Sequence, residues 1–299
     1  MENNFKKINT ACIACGRTLF DFFANKNGFD LYRCRNCRLI FVWPLPQDST
    51  DLYSSDYFSG AKSGFGYVNY EEDKSAMFKT FEVYLGKIEQ FTPRKGKLLD
   101  VGAATGFFVQ LAIERGWKAS GIEISDYAAK VARQKGLDVM TGTLESVDFD
   151  TSSFGVVTLW DVIEHLSDPV SHLKLIYNIL EVGGLVAINT PDSASFAARI
   201  FGKRWHLLVP PEHLFYFNYR SLLALLRNSG FEVVHISKIG KKFTLQYIFK
   251  TLARWQNFFI WKQLTKILAG TRLGTIGIPV NLRDNFFVIA KKYENFRKI

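Results

Sequence analysis

The chain has 299 residues, 47% of them hydrophobic and 22% charged, which is ordinary for a globular protein and long enough for one large domain with an appendage or for two domains. Its net charge of +10 is concentrated at one end, because residues 238–299 hold 13 lysines and arginines against two acids, whereas the rest of the chain has 25 basic and 26 acidic residues. The sequence contains neither an apolar leader at its N-terminus nor a run of 18 apolar residues, so we expect a cytoplasmic protein with reduced thiols and no membrane-spanning helix.

All four cysteines lie in the first 37 residues, as two Cys-x-x-Cys pairs separated by 18 residues. This spacing is typical of a zinc ribbon, in which each pair presents two thiolates to one tetrahedral ion. Arginines close to both pairs would offset part of the negative charge of a zinc tetrathiolate. Two disulfides would not suit a reducing compartment, and a redox Cys-x-x-Cys would not need a second pair. We therefore predict a ribbon over residues 1–45 with a structural zinc ion, whose ligands are Cys12, Cys15, Cys34 and Cys37.

The next segment, residues 46–74, is rich in proline, serine, glycine and tyrosine, which predicts an irregular linker. From Ser75 to Phe91 the apolar residues recur with a helical period. We therefore place the start of the main domain, residues 75–299, at this helix.

The stretch GKLLDVGAATGFFVQLAIERG predicts a strand over 97–101, a turn of small residues over 102–106 and a helix over 107–114. Small residues in such a turn let the backbone approach a ligand next to a helix N-terminus. The following strand, 118–122, ends at Glu123, whose carboxylate can accept two hydrogen bonds from a ribose diol. Strands and helices continue to alternate, which predicts a doubly wound α/β sheet of the Rossmann-like class. The turn alone is compatible with NAD, although its glycines are spaced G-x-x-x-G and not G-x-G-x-x-G.

The segment LLDVGAATGFF resembles the first motif of class I S-adenosylmethionine-dependent methyltransferases, with Ala104 where a glycine is usual. In the same order, GIEIS is similar to the acidic ribose-binding turn of this family, and GTLESVDFDTSSFGVVTLWDVIEHL and LEVGGLVAINTP are similar to its third to fifth strands. The resemblance covers residues 75–240 and implies a seven-stranded sheet, with its last strand antiparallel to the rest, that binds S-adenosylmethionine. The cofactor-binding residues that it implies are Asp100, Gly102, Ala103, Gly106, Glu123, Ile124, Leu144 (at the adenine), Trp160 and Asp161.

A polar stretch, LWDVIEHLSDP, follows the predicted fourth strand and places Asp161, Glu164 and His165 on one side of a helical turn. The simplest interpretation is that it leads into the next helix, because S-D-P is typical of an N-cap followed by proline. With His213 in PPEHLFYF, the stretch also resembles the E-x-x-E-H … H pattern of small-RNA 2′-O-methyltransferases and ubiquinone-pathway O-methyltransferases. That resemblance implies a divalent ion (Mg, Mn or Zn) that activates a hydroxyl, although aspartate replaces the first glutamate. The implied ligands are Asp161, Glu164, His165 and His213.

Over its full length the chain is more similar to sugar C-methyltransferases of deoxysugar and polysaccharide pathways, which combine a four-cysteine ribbon, a DYF…GY linker and PEHLFYF. That resemblance implies that His213, with His165, deprotonates or orients the acceptor, although a tyrosine of those enzymes is replaced by Pro210. We therefore expect methyl transfer to a small molecule, namely a sugar, sugar nucleotide or glycan precursor. The alternatives are metal-assisted O-methylation of a quinone-like, lipid or RNA hydroxyl, and a degenerate domain that acts as a scaffold.

The basic C-terminal region contains an insertion, about 241–282, in which eight basic residues occur from Lys241 to Arg283 without any acid. Apolar residues at helical spacing predict amphipathic helices, and we expect two short ones because the phase slips beyond Phe259. The simplest interpretation is a lid packed on the core. The alternatives are peripheral contact of residues 241–283 with an anionic membrane, or a basic cover over a sugar-nucleotide pyrophosphate. We expect no nucleic-acid partner, because the sequence contains no recognised RNA-binding module or stacking platform.

Overall fold

The structure is a computed structural model in which residues 8, 10–46, 78–92, 94–238 and 284–294 are described, together with 241–246, 249, 253, 258–271, 273, 274 and 276–280. Apart from residue 46, the predicted linker over residues 46–74 lies outside the described residues. The predicted start of the following helix, residues 75–77, also lies outside them.

The N-terminal segment folds around an antiparallel hairpin, as expected of a ribbon. Strands β1 (Phe20–Lys26) and β2 (Phe29–Cys34) are joined by Asn27 and Gly28, which have φ of 51° and 84°. Two successive residues with positive φ are what a type I′ turn requires, and Asn-Gly adopts this turn readily. Strand β3 (Ile40–Val42) pairs antiparallel with β2.

The main domain is built on a sheet of seven strands. In chain order they are β4 (Lys97–Val101), β5 (Lys118–Glu123), β6 (Val139–Thr141), β7 (Phe154–Trp160), β8 (Leu180–Pro191), β10 (Phe231–Ser237) and β13 (Asn285–Lys292). Their order across the sheet is β10-β13-β8-β7-β4-β5-β6, and β13 is antiparallel to both of its neighbours. The predicted doubly wound sheet with an antiparallel last strand is therefore confirmed. The strand order reverses between β4 and β7, and sheets of this kind bind ligands at the carboxyl ends of the strands beside such a reversal.

Helices cover both faces of this sheet. They are α1 (Phe78–Phe91), α2 (Phe107–Glu114) and α3 (Asp126–Gln134) on one face, α4 (Pro169–Ile179) and α6 (Tyr219–Asn228) on the other, and the short α5 (Phe196–Phe201) after β8. The side chains of β8 alternate between these faces, because successive residues of a strand point in opposite directions. Val186 and Ile188 pack with α4 and α6, whereas Leu185 and Ala187 pack with α1 and α2.

The ribbon and the main domain share a second sheet. Strand β9 (Phe215–Tyr216), between α5 and α6, pairs antiparallel with β3, so four strands run in the order β1-β2-β3-β9. Both faces of β3 also pack on the main domain. Phe41 lies in one apolar cluster with Leu214, and Ile40 lies in another with Trp205. The ribbon is therefore attached to the main domain by backbone pairing and by two apolar contacts.

The C-terminal insertion contains a strand pair that the sequence did not predict. Strands β11 (Lys241–Thr244) and β12 (Gly277–Val280) are antiparallel, and α7 (Phe259–Leu268) lies between them in the chain. Most of the predicted first helix of the insertion, before residue 259, lies outside the described residues. In the described part of the chain, no helix is both long and apolar enough to cross a membrane.

Candidate active site

The turn after β4 contains two glycines with left-handed backbone angles. Gly102 and Gly106 have φ of 73° and 81°. A Cβ atom at these positions would lie 2.6 Å from Val162 Cγ2 and 2.4 Å from Leu137 Cδ1, respectively. Glycine combines these backbone angles with this space at no steric cost. Packing against Val162 and Leu137 therefore requires glycine at both positions, and the turn leads into the N-terminus of α2. Its role as a cofactor site stays a prediction.

Glu123 closes this turn from the end of β5. Its side chain is 5% exposed, Oε2 accepts a hydrogen bond from Ala104 N at 2.8 Å, and Oε1 accepts one from Ser125 N at 2.8 Å. Burial raises the pKa of Glu123, and these backbone donors oppose part of the rise. A carboxylate has about four lone-pair sites, so each oxygen can still accept a ribose hydroxyl. The buried carboxylate therefore fits the predicted role.

The other predicted cofactor residues lie near the carboxyl ends of β4, β5, β6 and β7. Asp100 is buried, and its Oδ1 accepts a hydrogen bond from Thr158 Oγ1 at 2.6 Å. Ala103 and Leu144 are buried, whereas the side chain of Ile124 is exposed. Their contacts with a cofactor stay predictions.

Trp160 is buried in an aromatic stack. Its ring centroid lies 5.0 Å from that of Tyr84 with an interplanar angle of 11°, and Tyr84 in turn stacks on Phe287 at 4.6 Å. The described contacts of this ring are thus core contacts on the α1 face of the sheet, and its predicted contact with the cofactor stays a prediction.

Asp161 is oriented by two side chains that the sequence analysis did not identify. It has a positive φ of 54°, and its Oδ1 accepts a hydrogen bond from Asn189 Nδ2 at 2.6 Å. Asn189 Oδ1 accepts one from Tyr84 Oη at 2.9 Å. A polar residue near the end of the apolar strand LVAINTP is the feature that would have indicated Asn189. The network fixes the Asp161 carboxylate just after β7.

Three of the four predicted metal ligands lie together on the other face of the sheet. One ligand atom from each of Glu164, His165 and His213 lies within 4.8 Å of the other two. The centroids of the two imidazole rings are 4.7 Å apart, and the ring planes are nearly perpendicular, at 86°. We refer to Glu164, His165 and His213 as the acceptor cluster.

Asp161 is not a member of the acceptor cluster, and the pleat of β8 gives the reason. Asn189 holds Asp161 on the α1 face. The next residue, Thr190, points to the opposite face, where its Oγ1 donates to Glu164 Oε2 at 2.8 Å. The structure thus places three of the four predicted ligands within 4.8 Å of one another, and Asp161 lies outside that group although its charge acts on His165.

Both histidines of the acceptor cluster are oriented through Nδ1. His165 Nδ1 lies 2.7 Å from Glu212 O, and His213 Nδ1 lies 3.0 Å from Leu207 O. A carbonyl oxygen can only accept, so in each neutral ring the hydrogen is on Nδ1 and Nε2 carries a lone pair. Burial lowers the pKa of His165 to about 4, so this ring is neutral at neutral pH. The cluster therefore offers a carboxylate and two imidazole lone pairs.

The remaining three histidines lie elsewhere. His172 is on α4 with Nδ1 3.1 Å from Glu145 Oε1, His206 Nε2 lies 3.3 Å from Asp284 Oδ2, and His235 is in β10. Among the described residues, none of these three belongs to a group that could hold a metal ion.

A family model described as a methyltransferase domain matches residues 73–236, which is more than half of the chain. The chain belongs to this methyltransferase family. Together with the observed strand order, the match identifies residues 73–236 as the core of a class I S-adenosylmethionine-dependent methyltransferase domain.

Relatives of this methyltransferase have names that refer to quinone chemistry. It is 28% identical over 156 residues to 2-methyl-6-phytyl-1,4-hydroquinone methyltransferase 2, chloroplastic, of Oryza sativa subsp. japonica. The aligned stretch covers 50% of this chain and 42% of the relative. It is 32% identical over 123 residues to the ubiquinone biosynthesis O-methyltransferase of Idiomarina loihiensis, which covers 38% of the chain and 51% of the relative. The chain thus spans about half of the length of these curated relatives.

A solved structure from Bacillus halodurans C-125, determined as a candidate methyltransferase, is similar in fold. It superposes with a TM-score of 0.51 at 19% identity and covers 70% of this chain and 98% of that one. This similarity supports the fold alone.

Ala104 occupies a position of the turn at which this family usually has glycine, and it has a positive φ of 48°. A side chain in the left-handed region costs about 1–2 kcal/mol, whereas a new glycine adds about 0.5–1 kcal/mol of chain entropy to the unfolded state. We therefore expect Ala104→Gly to raise the free energy of unfolding by up to about 1 kcal/mol in urea titrations. Ala103→Gly is the matched control and should lower it, because Ala103 does not have a positive φ. A lower free energy of unfolding in Ala104→Gly would contradict the proposed backbone strain at Ala104.

The two Cys-x-x-Cys pairs of the methyltransferase converge on one point. Cys12 Sγ lies 3.5 Å from Cys37 Sγ, and Cys15 Sγ lies 3.6 Å from Cys34 Sγ. Four sulfurs at about 2.3 Å from one ion would be about 3.8 Å apart. A hydrogen bond from Cys37 lowers the pKa of Cys12 to about 5, whereas the same bond raises the pKa of Cys37 and burial raises that of Cys34. The spacing of the sulfurs fits the predicted zinc ion, which stays a prediction.

The two cysteine turns have the same backbone geometry. Gly16 N donates to Cys12 O at 2.8 Å, and Arg38 N donates to Cys34 O at 3.0 Å. The residue after each pair has a positive φ, 69° at Gly16 and 65° at Arg38. The second turn therefore repeats the first, with arginine at the position of glycine.

Proposed function

We propose that this protein transfers the methyl group of S-adenosylmethionine to a hydroxyl of a small phenolic acceptor related to hydroquinones. The observation that carries the proposal is the acceptor cluster, because a hydroxyl must be deprotonated or coordinated before or during methyl transfer. Glu164, His165 and His213 offer the groups for this purpose. The names of the relatives, a hydroquinone methyltransferase and an O-methyltransferase of ubiquinone biosynthesis, support the class of acceptor.

The cofactor, when bound, supplies an electrophilic methyl group on its sulfonium. The role of the protein is to align that methyl group with the acceptor oxygen for an in-line displacement. The turn from Gly102 to Gly106 admits the cofactor next to backbone, and the buried carboxylate of Glu123 accepts the ribose hydroxyls. Asp161, which Asn189 holds in place, follows β7 at the same edge of the sheet.

The acceptor cluster can act in two ways. One carboxylate and two imidazoles fit a divalent ion such as Mg, Mn or Zn, and Thr190 and the two carbonyl partners of the histidines are of the kind that orients metal ligands. Such an ion would lower the pKa of an acceptor hydroxyl. In the other case Nε2 of His213 accepts the hydroxyl proton directly. Asp161 lies outside the group of ligand atoms within 4.8 Å, but its charge opposes part of the pKa shift that burial causes at His165, so it can support either role.

A sugar, sugar nucleotide or glycan precursor is the second candidate acceptor. The four-cysteine ribbon and the PEHLFYF segment support it through their resemblance to sugar C-methyltransferases. His213 would serve as the base for this acceptor as well. The relatives described above favour the phenolic acceptor.

The proposal is tested with methyl-labelled S-adenosylmethionine and a panel of hydroquinones, catechols, sugar nucleotides and RNA. We expect labelled methyl ethers of phenols. Label only in sugars would establish the second candidate, and label only in RNA would overturn the small-molecule acceptor. Calorimetry with S-adenosylmethionine and S-adenosylhomocysteine tests the enzyme itself, because a scaffold that has lost the cofactor site would give no heat.

The insertion has an exposed apolar surface that supports peripheral contact with an anionic membrane. On α7, Phe259 and Ile267 are 74% and 66% exposed, and Lys262 and Lys266 lie on the same helix. Aromatic and aliphatic side chains beside lysines, on a segment without acids, are typical of helices that lie in an anionic interface. The predicted cytoplasmic location of the protein would be compatible with this contact.

We expect the protein to float with vesicles of anionic lipid and less so with neutral vesicles. Replacing Phe259 and Ile267 with serine should reduce the floated fraction several-fold, because each loses buried apolar area at the interface. Val182→Ser, at a residue that is 63% exposed in β8, is the control and should float like the unmodified protein. An equal floated fraction of protein with and without anionic lipid would refute the membrane contact.

A further inference from the structure

We propose that the ribbon supports the segment that carries His213, and that the metal ion of its four cysteines fixes the position of this histidine. The proposal goes beyond methyl transfer, because it concerns what holds His213 in place, whichever acceptor is used. It rests on three sets of contacts between the ribbon and the segment from residue 205 to residue 228.

The first set joins β3 to the backbone next to His213. Val42 N donates to Leu214 O at 2.9 Å, and β3 then pairs with β9. On their other side, Leu214 N and Phe215 N donate to Glu164 O at 2.8 and 3.1 Å. Leu214 and Phe215, which follow His213, therefore connect the ribbon to Glu164 of the acceptor cluster.

The second set anchors the loop before His213 to the ribbon hairpin. Asn27 Nδ2 donates to Pro210 O at 2.8 Å, and the lysine that ends β1 donates through Nζ to Trp205 O at 3.4 Å. Leu207 O, which accepts the hydrogen bond from His213 Nδ1, lies between these two anchors in the chain. The carbonyl of Leu207, which orients the ring of His213, thus belongs to a loop that is bonded to the ribbon on both sides of Leu207.

The third set joins both cysteine turns to α6. Asn218 caps this helix by accepting from Ser221 N, and its Nδ2 donates to Cys37 O at 3.1 Å. Asn228, the last residue of α6, donates through Nδ2 to Ala14 O at 3.0 Å. The two accepting carbonyls belong to different cysteine turns, and no disulfide joins the cysteines of these turns. A bound ion would add a direct link between the two turns, beside their bonds to α6 and the hydrogen bond from Arg35 N to Leu19 O.

These contacts link the metal to His213 through the fold of the ribbon. Small four-cysteine modules take up their fold when they bind metal, so metal loss would loosen β3, the hairpin and both cysteine turns together. We expect His213 then to lose its bond to Leu207 O and to leave the acceptor cluster. The cofactor site should be affected little, because Gly102 and Gly106 are in the turn after β4 and Glu123 ends β5, and neither strand pairs with the ribbon.

The test is nitrogen-15 NMR of the histidine side chains in the full-length protein, which has five histidines. In the unmodified protein we expect His213 to carry its hydrogen on Nδ1 and to exchange it slowly with water. Cys37→Ser removes one metal ligand and should speed this exchange about tenfold or more, as expected when a hydrogen bond and its surroundings are lost. Val42→Pro keeps all four cysteines but removes the N–H that donates to Leu214 O, and should change the same signal. The signals of His172 should not move.

A Cys37→Ser protein that has lost the ribbon zinc by elemental analysis and still shows the His213 signals of the unmodified protein would overturn the proposal. If that variant does not fold, Val42→Pro and Asn228→Ala decide, and unchanged His213 signals in both also overturn it. Asp21→Asn changes an exposed residue of β1 that pairs with Arg35, and as the matched ribbon control it should leave His213 unaffected. The readout does not depend on turnover, so failure of the proposed methyl transfer would be recognised separately.

Discussion

Replacement of His213 by alanine is expected to reduce the rate of methyl transfer by about 10²- to 10⁴-fold. The imidazole offers an Nε2 lone pair because its Nδ1 hydrogen is bound to Leu207 O, and alanine removes either the base or one metal ligand. The affinity for S-adenosylhomocysteine should change little, since the predicted contacts are in the turn after β4 and at the end of β5. Rates are measured with labelled cofactor at saturating acceptor, and affinity is measured by calorimetry.

Glu164→Gln separates the two roles of the acceptor cluster. Glutamine keeps the shape of the side chain and can still accept from Thr190 Oγ1, but it loses the negative charge that a divalent ion requires. If an ion is used, this variant should lose rate as severely as His213→Ala, and EDTA should inhibit the unmodified enzyme while the ribbon keeps its zinc. If His213 acts as a base alone, the loss should be much smaller. His172→Ala is the control on α4, and a fully active His213→Ala would refute the acceptor site.

Glu123→Gln is expected to weaken the binding of S-adenosylhomocysteine by about 100-fold or more, because two charge-assisted hydrogen bonds to the ribose are each worth about 1.5–3 kcal/mol. The substitution also disturbs the turn. Both carboxylate oxygens accept from backbone N–H groups, of Ala104 and Ser125, so the amide nitrogen of glutamine would face one of these donors. Calorimetry gives the affinity, and thermal unfolding reports any loss of the fold.

The same carboxylate gives cofactor binding a pH dependence. Burial raises the pKa of Glu123, and only the ionised form can accept from two backbone donors and two hydroxyls. Affinity should therefore be full above the raised pKa and should fall as the pH decreases through it, at a higher pH than for an ordinary glutamate. Asp126→Asn, at an exposed carboxylate three residues later, is the control for both measurements. Unchanged affinity in Glu123→Gln would show that the ribose is bound elsewhere.

The central sheet could be predicted from sequence because its information is local. The segment GKLLDVGAATGFF contains a buried strand, a turn of small residues and a helix start in one stretch, and the later strands repeat this alternation. The hairpin of the ribbon is similarly local, because Asn-Gly specifies its own turn. Ala104 and Arg38 were harder, since neither residue type favours the positive φ that the structure gives it.

The grouping of the acceptor-site residues could be predicted only in part, and the position of Asp161 has a physical reason. The spacing of Asp161, Glu164 and His165 placed them together on the assumption of a helical turn. Asp161 instead has a positive φ, and the pleat of β8 anchors it and Glu164 on opposite faces. The pairing of β3 with β9 could not be predicted, because a strand of two residues has no periodicity and its partner is distant in sequence.

The pairing of β3 with β9 also has a consequence for biosynthesis. About 175 residues separate the two strands, so at about 5–20 residues per second the ribosome releases β9 roughly 10–35 seconds after β3. During that interval the β3 edge of the nascent ribbon still lacks a partner, and unpaired edges are templates for aggregation. Truncated chains that end before residue 215 should therefore be much more prone to aggregate than the complete chain.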